Sequence, residues 1–289
     1  MAFVVLSVSS LCKNCIQRNQ RLSTGQGVPL WQRKHAAASQ FHARFVSGTR
    51  PLSMGLFSRL FGRDNASSSS SSTSSRQPIN VSDKHYVLGT PMKSEPAGMR
   101  VAVFGGGCFW GLERRFFQTP GVYSTAVGYS GGTLADPTYY EVCSGRTGHA
   151  EVVRVVYDPQ KVDYLSLLDV FWASHDATQV NRQGNDVGTQ YRTVIFYTDE
   201  EQKRLAEMTR AAYERTLRAN GYGRIATQIL PASEHPFFFA EDYHQQYLAK
   251  NPGGYCGLGG IGLYNPEEIR KAVKEMEAAA GKESPAGAS

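Results

Sequence analysis

The sequence predicts an α/β protein, specifically an α+β two-layer sandwich with a ferredoxin-like split β-α-β core and C-terminal additions. Three observations carry that expectation. From residue 98 onward the apolar periodicity switches between about two and about 3.6 residues in the order β-α-β-β-α-β. The helical stretches have one apolar stripe each, which places them on one face of a sheet. The first 97 residues have the composition of a leader and a linker, so one domain has to be built from residues 98–280.

Element by element, "MRVAVF" reads as the first strand and residues 109–118 as an amphipathic helix with Leu112, Phe116 and Phe117 on its apolar side. "GVYSTAVGYS" and "HAEVVRVVYD" read as strands rich in β-branched residues, the second stopped by Asp158-Pro159. "DYLSLLDVFWAS" spaces Tyr164, Leu167, Leu168, Phe171 and Trp172 as a helix, and "YRTVIFY" closes the core as a strand. Then come the additions. Thr198 and Glu201 have capping-box spacing and open a long helix that stops near Asn220-Gly221. "RIATQIL" reads as a further strand, and "NPEE" starts a last polar helix with Pro266 in its first turn. The glycine-rich "EDYHQQYLAKNPGGYCGLGGIG" between them predicts a mobile tail carrying Cys256.

The start of the chain is different in kind. Residues 1–63 contain no Asp or Glu and nine Lys or Arg, so a whole-chain charge of +6 leaves −3 for everything after them. A mildly acidic folded part argues against a nucleic-acid partner. The acid-free, Arg- and Ser-rich leader predicts an organelle transit peptide, mitochondrial or alternatively plastid, while the apolar "AFVVLSVSSLC" keeps a secretory signal open. No segment has the roughly 18 consecutive apolar residues of a membrane helix, so a soluble product is expected. Residues 64–97, with "NASSSSSSTSSRQP", are expected to be a disordered linker, because such a tract cannot bury enough surface to offset its ordering entropy. "MGLFSRLFGR" at Met54 offers an internal start for a cytoplasmic form, and Arg59 standing where Ser or Thr is required excludes it as a myristoylation signal.

Five cysteines are too few for a disulfide framework in this length. Cys12 and Cys15 make a C-x-x-C, but without a second pair and within a leader it is read as chance. Cys108 stands out. In "VAVFGGGCFWGLERRFFQ" it sits at a strand-to-helix turn, where unpaired N–H groups and the positive end of the helix dipole favour a thiolate. The plain alternative is a small buried hydrophobe, and three glycines before it with two large aromatics after it favour a reactive pocket. A dinucleotide turn is excluded, since Trp110 occupies the third glycine position of G-x-G-x-x-G and no acidic residue follows about 20 residues later.

Five segments, "GGGCFWGLERRFFQTPGVYSTAVGYSGG", "PTYYEVCSGRTGHAEVVRVVYDP", "QGNDVGTQYRTVIFY", "AEDYHQQYL" and "NPGGYCGLGG", together resemble the A-type peptide methionine sulfoxide reductases over residues 100–264. The resemblance implies the same split sandwich. It also implies that Cys108 attacks the sulfoxide sulfur and that Glu151 of "GHAEVV" donates the proton, its pKa raised by burial on a valine strand. Without the resemblance, Glu151 would read as an outward strand residue in a salt bridge. Tyr139 of "PTYYE" and Tyr191 of "GTQYR" match the phenols that hydrogen-bond the sulfoxide oxygen, though each could be an ordinary half-buried aromatic, and only motif register selects Tyr139 over Tyr140. Phe109 and Trp110 match the hydrophobic wall around the substrate methyl, and Asp186 matches a residue orienting the peptide.

By the same resemblance the S epimer of methionine sulfoxide is the substrate, in proteins and also as the free amino acid. No metal or cofactor is needed, thioredoxin or a similar dithiol protein is the reductant, and the enzyme is expected to be a monomer without membrane or nucleic-acid partners. Some members carry two recycling cysteines in the tail. Here Cys256 is followed by Tyr264 where the second would stand, which implies a Cys108–Cys256 disulfide reduced directly, with Cys143 as a rival resolver read as structural. Two other classes stay open at this point: a cysteine hydrolase using His149, His175 or His244 with Asp176 or Asp242, and a noncatalytic binder of oxidised methionine.

Overall fold

A computed structural model describes residues 79–283 of the chain. Cys12, Cys15, Met54 and the whole leader reading lie outside them. The core elements are β1 (Arg100–Gly106), α1 (Phe109–Phe117), β2 (Val122–Ser130), β3 (Ala150–Tyr157), an eleven-residue helix at Tyr164–Ser174 and a strand at Thr193–Tyr197. These are the six elements that the periodicity predicts, in the predicted order. Between β2 and β3 lies α2 (Tyr139–Cys143), so the Tyr164–Ser174 helix is α3. Two-residue strands β4 (Arg182–Gln183) and β5 (Asp186–Val187) form a hairpin, and the Thr193–Tyr197 strand is β6. Next come α4 (Glu200–Ala219), β7 (Gln228–Pro231), β8 (Phe238–Phe239), α5 (Tyr247–Lys250) and α6 (Pro266–Glu283).

The six-stranded sheet runs β7-β6-β1-β3-β2-β8. Its centre, β6-β1-β3-β2, is wholly antiparallel, which is the strand order of a split β-α-β sandwich, and β7 adds in parallel to β6. Side-chain alternation divides the two faces. Val153, Val155 and Tyr157 of β3 face the helices with Phe104, Phe116, Leu168 and Phe171, whereas Val152 joins Val103, Val194 and Phe196 in a smaller cluster. Glu151 has the parity of Val153. The strand therefore delivers a carboxylate to the helix side of the sheet, where it is 2% exposed.

Several expectations need correcting. The long helix is capped by Asp199, not Thr198: Gln202 N–H donates to Asp199 Oδ1 at 2.9 Å, while Thr198 N–H donates to Gln202 Oε1 at 3.0 Å. Only the last three residues of "RIATQIL" are strand, within the four-residue Gln228–Pro231. Ahead of them Ala226 N–H donates to Ala177 O at 2.7 Å, tying the segment to the α3–β4 loop instead of the ladder. The expected linker also ends early. Residues 79–97 lie on the folded unit, with Val81, His85 and Met92 at 3%, 1% and 1% exposure. Tyr86 N–H donates to Gln246 Oε1 at 3.1 Å and His85 Nε2 bonds Thr125 Oγ1 at 2.8 Å. Three separated buried side chains leave no periodicity to read.

Candidate active site

Cys108 is the N-cap of α1, one residue before the helix proper, with extended-like φ −54° and ψ 121°. Gly107 reaches it through φ +97°, and a Cβ there would stand 2.7 Å from Gln183 Cγ, so only glycine makes this turn without strain. The first helical amide is already taken. Phe109 N–H donates to Glu151 Oε2 at 3.1 Å, which sets the carboxyl group at the helix N-terminus beside Cys108. Register explains the meeting: Glu151 pairs with Tyr129 on β2, and the carbonyl oxygen of Glu151 lies 2.9 Å from where a Cβ on Gly105 would stand.

Tyr191 ends the turn before β6 and is 6% exposed. Burial, reinforced by the nearby Glu151, Cys108, Cys143 and Asp186, pushes its hydroxyl well above the ordinary tyrosine range, so it stays a neutral donor. Tyr139 is 8% exposed at the start of α2 and Tyr140 is 58% exposed, so burial picks out the same tyrosine as motif register. The helix that aims Tyr139 begins with a full capping box: Glu141 N–H donates to Thr138 Oγ1 and Thr138 N–H to Glu141 Oε2.

The aromatic wall is larger than Phe109 and Trp110. His244 packs between Tyr139 and Phe109, with ring centroids 4.7 and 5.2 Å away, and its Nδ1 accepts from Trp110 Nε1 at 3.1 Å. Burial drives the His244 pKa down to about 3, so the ring is neutral. Trp110 stacks on Tyr247 at 3.9 Å and 18°. Glu241 braces the far side, accepting from Tyr129 OH at 3.0 Å and from Tyr139 N–H at 2.8 Å. Glu241, His244 and Tyr247 belong to "AEDYHQQYL", a segment with no part in sulfoxide binding assigned from sequence, where His244 and Asp242 enter only as hydrolase candidates. Its density of ring and carboxyl groups was the available signal.

That turn is anchored from below by Glu113, fully buried on α1. Glu113 accepts from Gln246 N–H and Nε2, both at 2.8 Å, and from Thr125 Oγ1 at 3.1 Å, while burial raises its pKa to about 7. Asp186 sits on β5, its pKa raised by burial, and accepts from Tyr255 OH at 3.2 Å. Cys256 follows Tyr255 and is exposed. Arg114 Nη2 donates to its Sγ at 3.2 Å, so the tail thiol lies against the helix that Cys108 caps. Cys108, Cys143 and Cys256 are in no disulfide.

The hydrolase arrangement is not present. His175 is held through Nδ1 by Phe171 O at 2.8 Å and through Nε2 by Thr193 Oγ1 at 2.7 Å. Neither ring nitrogen of His149 nor Nε2 of His244 has a hydrogen-bond partner, so none of these three candidate histidines is positioned as the base for Cys108. Asp176 is engaged by Thr178 and Gln179, and Asp242 by Ser82 N–H. Among the described residues no group of three His, Cys, Asp or Glu side chains is arranged to hold a metal ion.

A thiol, a buried carboxyl group and two buried phenols within an aromatic enclosure suit reduction of a small polar S=O group with an apolar methyl beside it. Comparison with known proteins agrees. The family model described as peptide methionine sulfoxide reductase matches residues 100–274. The chain is 60% identical over 191 residues to peptide methionine sulfoxide reductase MsrA of Rhodospirillum centenum, covering 66% of this chain and 86% of that one. It is 61% identical over 183 residues to MsrA of Azotobacter vinelandii, covering 63% and 84%. Among solved structures, methionine sulfoxide reductase A of Corynebacterium diphtheriae is similar with a TM-score of 0.59 and 45% identity, over 63% of this chain and 88% of that one. The chain belongs to the peptide methionine sulfoxide reductase family, oxidoreductases that return methionine sulfoxide to methionine.

Proposed function

We propose that the chain repairs the S epimer of methionine sulfoxide in oxidised proteins and peptides, with Cys108 as nucleophile, Glu151 as proton donor and Cys256 as resolving thiol. The observation that carries this reading is the Glu151 carboxyl group at the amide next to Cys108. Cys108 attacks the sulfoxide sulfur, the oxygen gains protons with Glu151 as first donor, and it leaves as water when the Cys108–substrate S–S bond has formed. Water then attacks Cys108 Sγ, releasing methionine and leaving a sulfenic acid. Tyr139 and Tyr191 donate to the oxygen while it is still bound, Phe109 and Trp110 enclose the methyl, and Asp186 orients the peptide.

Cys256 then attacks the Cys108 sulfur, water leaves, and a disulfide remains. Exposure of Cys256 supports reduction by thioredoxin or a similar dithiol protein acting on the disulfide directly. Tyr264 OH donates to Asp169 Oδ1 at 2.7 Å and the ring meets Tyr213 edge-on, so this side chain is an anchor at the position of a second tail thiol. Cys256→Ser is expected to complete its first turnover normally and to lose thioredoxin-supported cycling, with partial rescue by dithiothreitol. Full cycling in that variant, lost instead in Cys143→Ser, would assign resolution to Cys143. We also propose that residues 1–63 direct the chain to mitochondria. A fluorescent fusion of that segment is expected in mitochondria, and a diffuse cytosolic signal would refute it.

A further inference from the structure

The glycine-rich tail crosses α1, and one glycine on that helix makes room for it. A Cβ at Gly111 would stand 2.2 Å from Leu258 Cδ1, 3.1 Å from Leu258 Cβ and 3.0 Å from Cys256 Sγ, all atoms of the tail. Its backbone is ordinary helix, so conformation does not require glycine there, and glycine inside a helix is less stable than alanine. Three residues further on, Arg114 Nη2 donates to Cys256 Sγ. Residues three apart are neighbours on a helix surface, so Gly111 and Arg114 form one contact area beginning a turn beyond Cys108. Leu258 packs from there onto the main core. The tail is also closely fitted on both sides of this contact, since a Cβ at Gly254 would stand 2.7 Å from Tyr247 Cε1 and one at Gly260 2.1 Å from Ala173 O.

We propose that Gly111 and Arg114 form a saddle on α1 that seats the tail with Cys256 facing oxidised Cys108, and so set the rate of disulfide formation without affecting reduction of the sulfoxide. They are positioning residues acting through Cys256: Gly111 provides the space and Arg114 fixes the direction of the sulfur and presents a positive charge to it. The step they govern is attack of the Cys256 sulfur on Cys108 Sγ, forming the S–S bond and breaking the S–O bond, with the oxygen leaving as water after taking up a proton. This inference rests on Cys256 being the resolving thiol.

The test is a single turnover of the reduced full chain with one equivalent of a methionine sulfoxide peptide and no added reductant. Methionine and disulfide are followed separately, and the disulfide is mapped by mass spectrometry. Gly111→Ala and Arg114→Ala are expected to release methionine at the wild-type rate and to form the Cys108–Cys256 disulfide on the order of tenfold more slowly, the scale of effect that a misplaced reacting group produces. Arg114→Lys should recover most of that loss. Wild-type disulfide rates in both alanine variants, or equal slowing of methionine release and disulfide formation, would overturn the proposal. Failure of the underlying reading looks different, because the wild-type protein itself would then pair Cys108 with Cys143. A thermal melt of Gly111→Ala at or above wild type confirms that the helix is intact.

Discussion

Cys108→Ser is expected to lower methionine sulfoxide turnover below a few per cent, a rough threshold for loss of the nucleophile, while leaving the thermal melt close to wild type. Serine is nearly isosteric, and the residue is an N-cap, a position serine favours. Its hydroxyl is a far weaker nucleophile at neutral pH than a thiolate, and it has no redox chemistry to accept the oxygen. The measurement is a steady-state assay with dithiothreitol on a protein whose melt has been checked. Retained activity above the threshold would place the chemistry on another residue.

Glu151→Gln is the second large effect, an expected fall of about 10²–10⁴-fold in the sulfoxide-reducing step at neutral pH. The amide oxygen of glutamine can still accept from Phe109 N–H, so the start of α1 and the seat of Cys108 are kept while the transferable proton is removed. Rapid-quench single turnover isolates this step from recycling. A rate equal to wild type would mean that the proton comes from elsewhere, and buried Tyr191 would be the next residue to test.

The six core elements were legible because each has a clear period and each buries the face that the period predicts. Glu151 was legible as a member of a motif, and its burial follows from strand parity with Val153. The short α2 went unread although Thr138 and Glu141 have capping-box spacing, because five residues offer no helical period. The larger obstacle was distance along the chain. Trp110 meets His244 and Glu113 meets Gln246 across more than 130 residues, so the second half of the aromatic enclosure follows only from the fold. The tail glycines suggested mobility, and several prove to be points of close approach, a property that composition does not distinguish from freedom.

The most direct test of the whole account mixes the fully reduced protein with an excess of a peptide carrying either pure epimer of methionine sulfoxide, without reductant, and counts methionine formed per protein. The account predicts a burst of about one methionine per protein with the S epimer, accompanied by a Cys108–Cys256 disulfide, and no burst with the R epimer. A burst with the R epimer, or S-epimer reduction that leaves Cys108 as a free thiol, would contradict it.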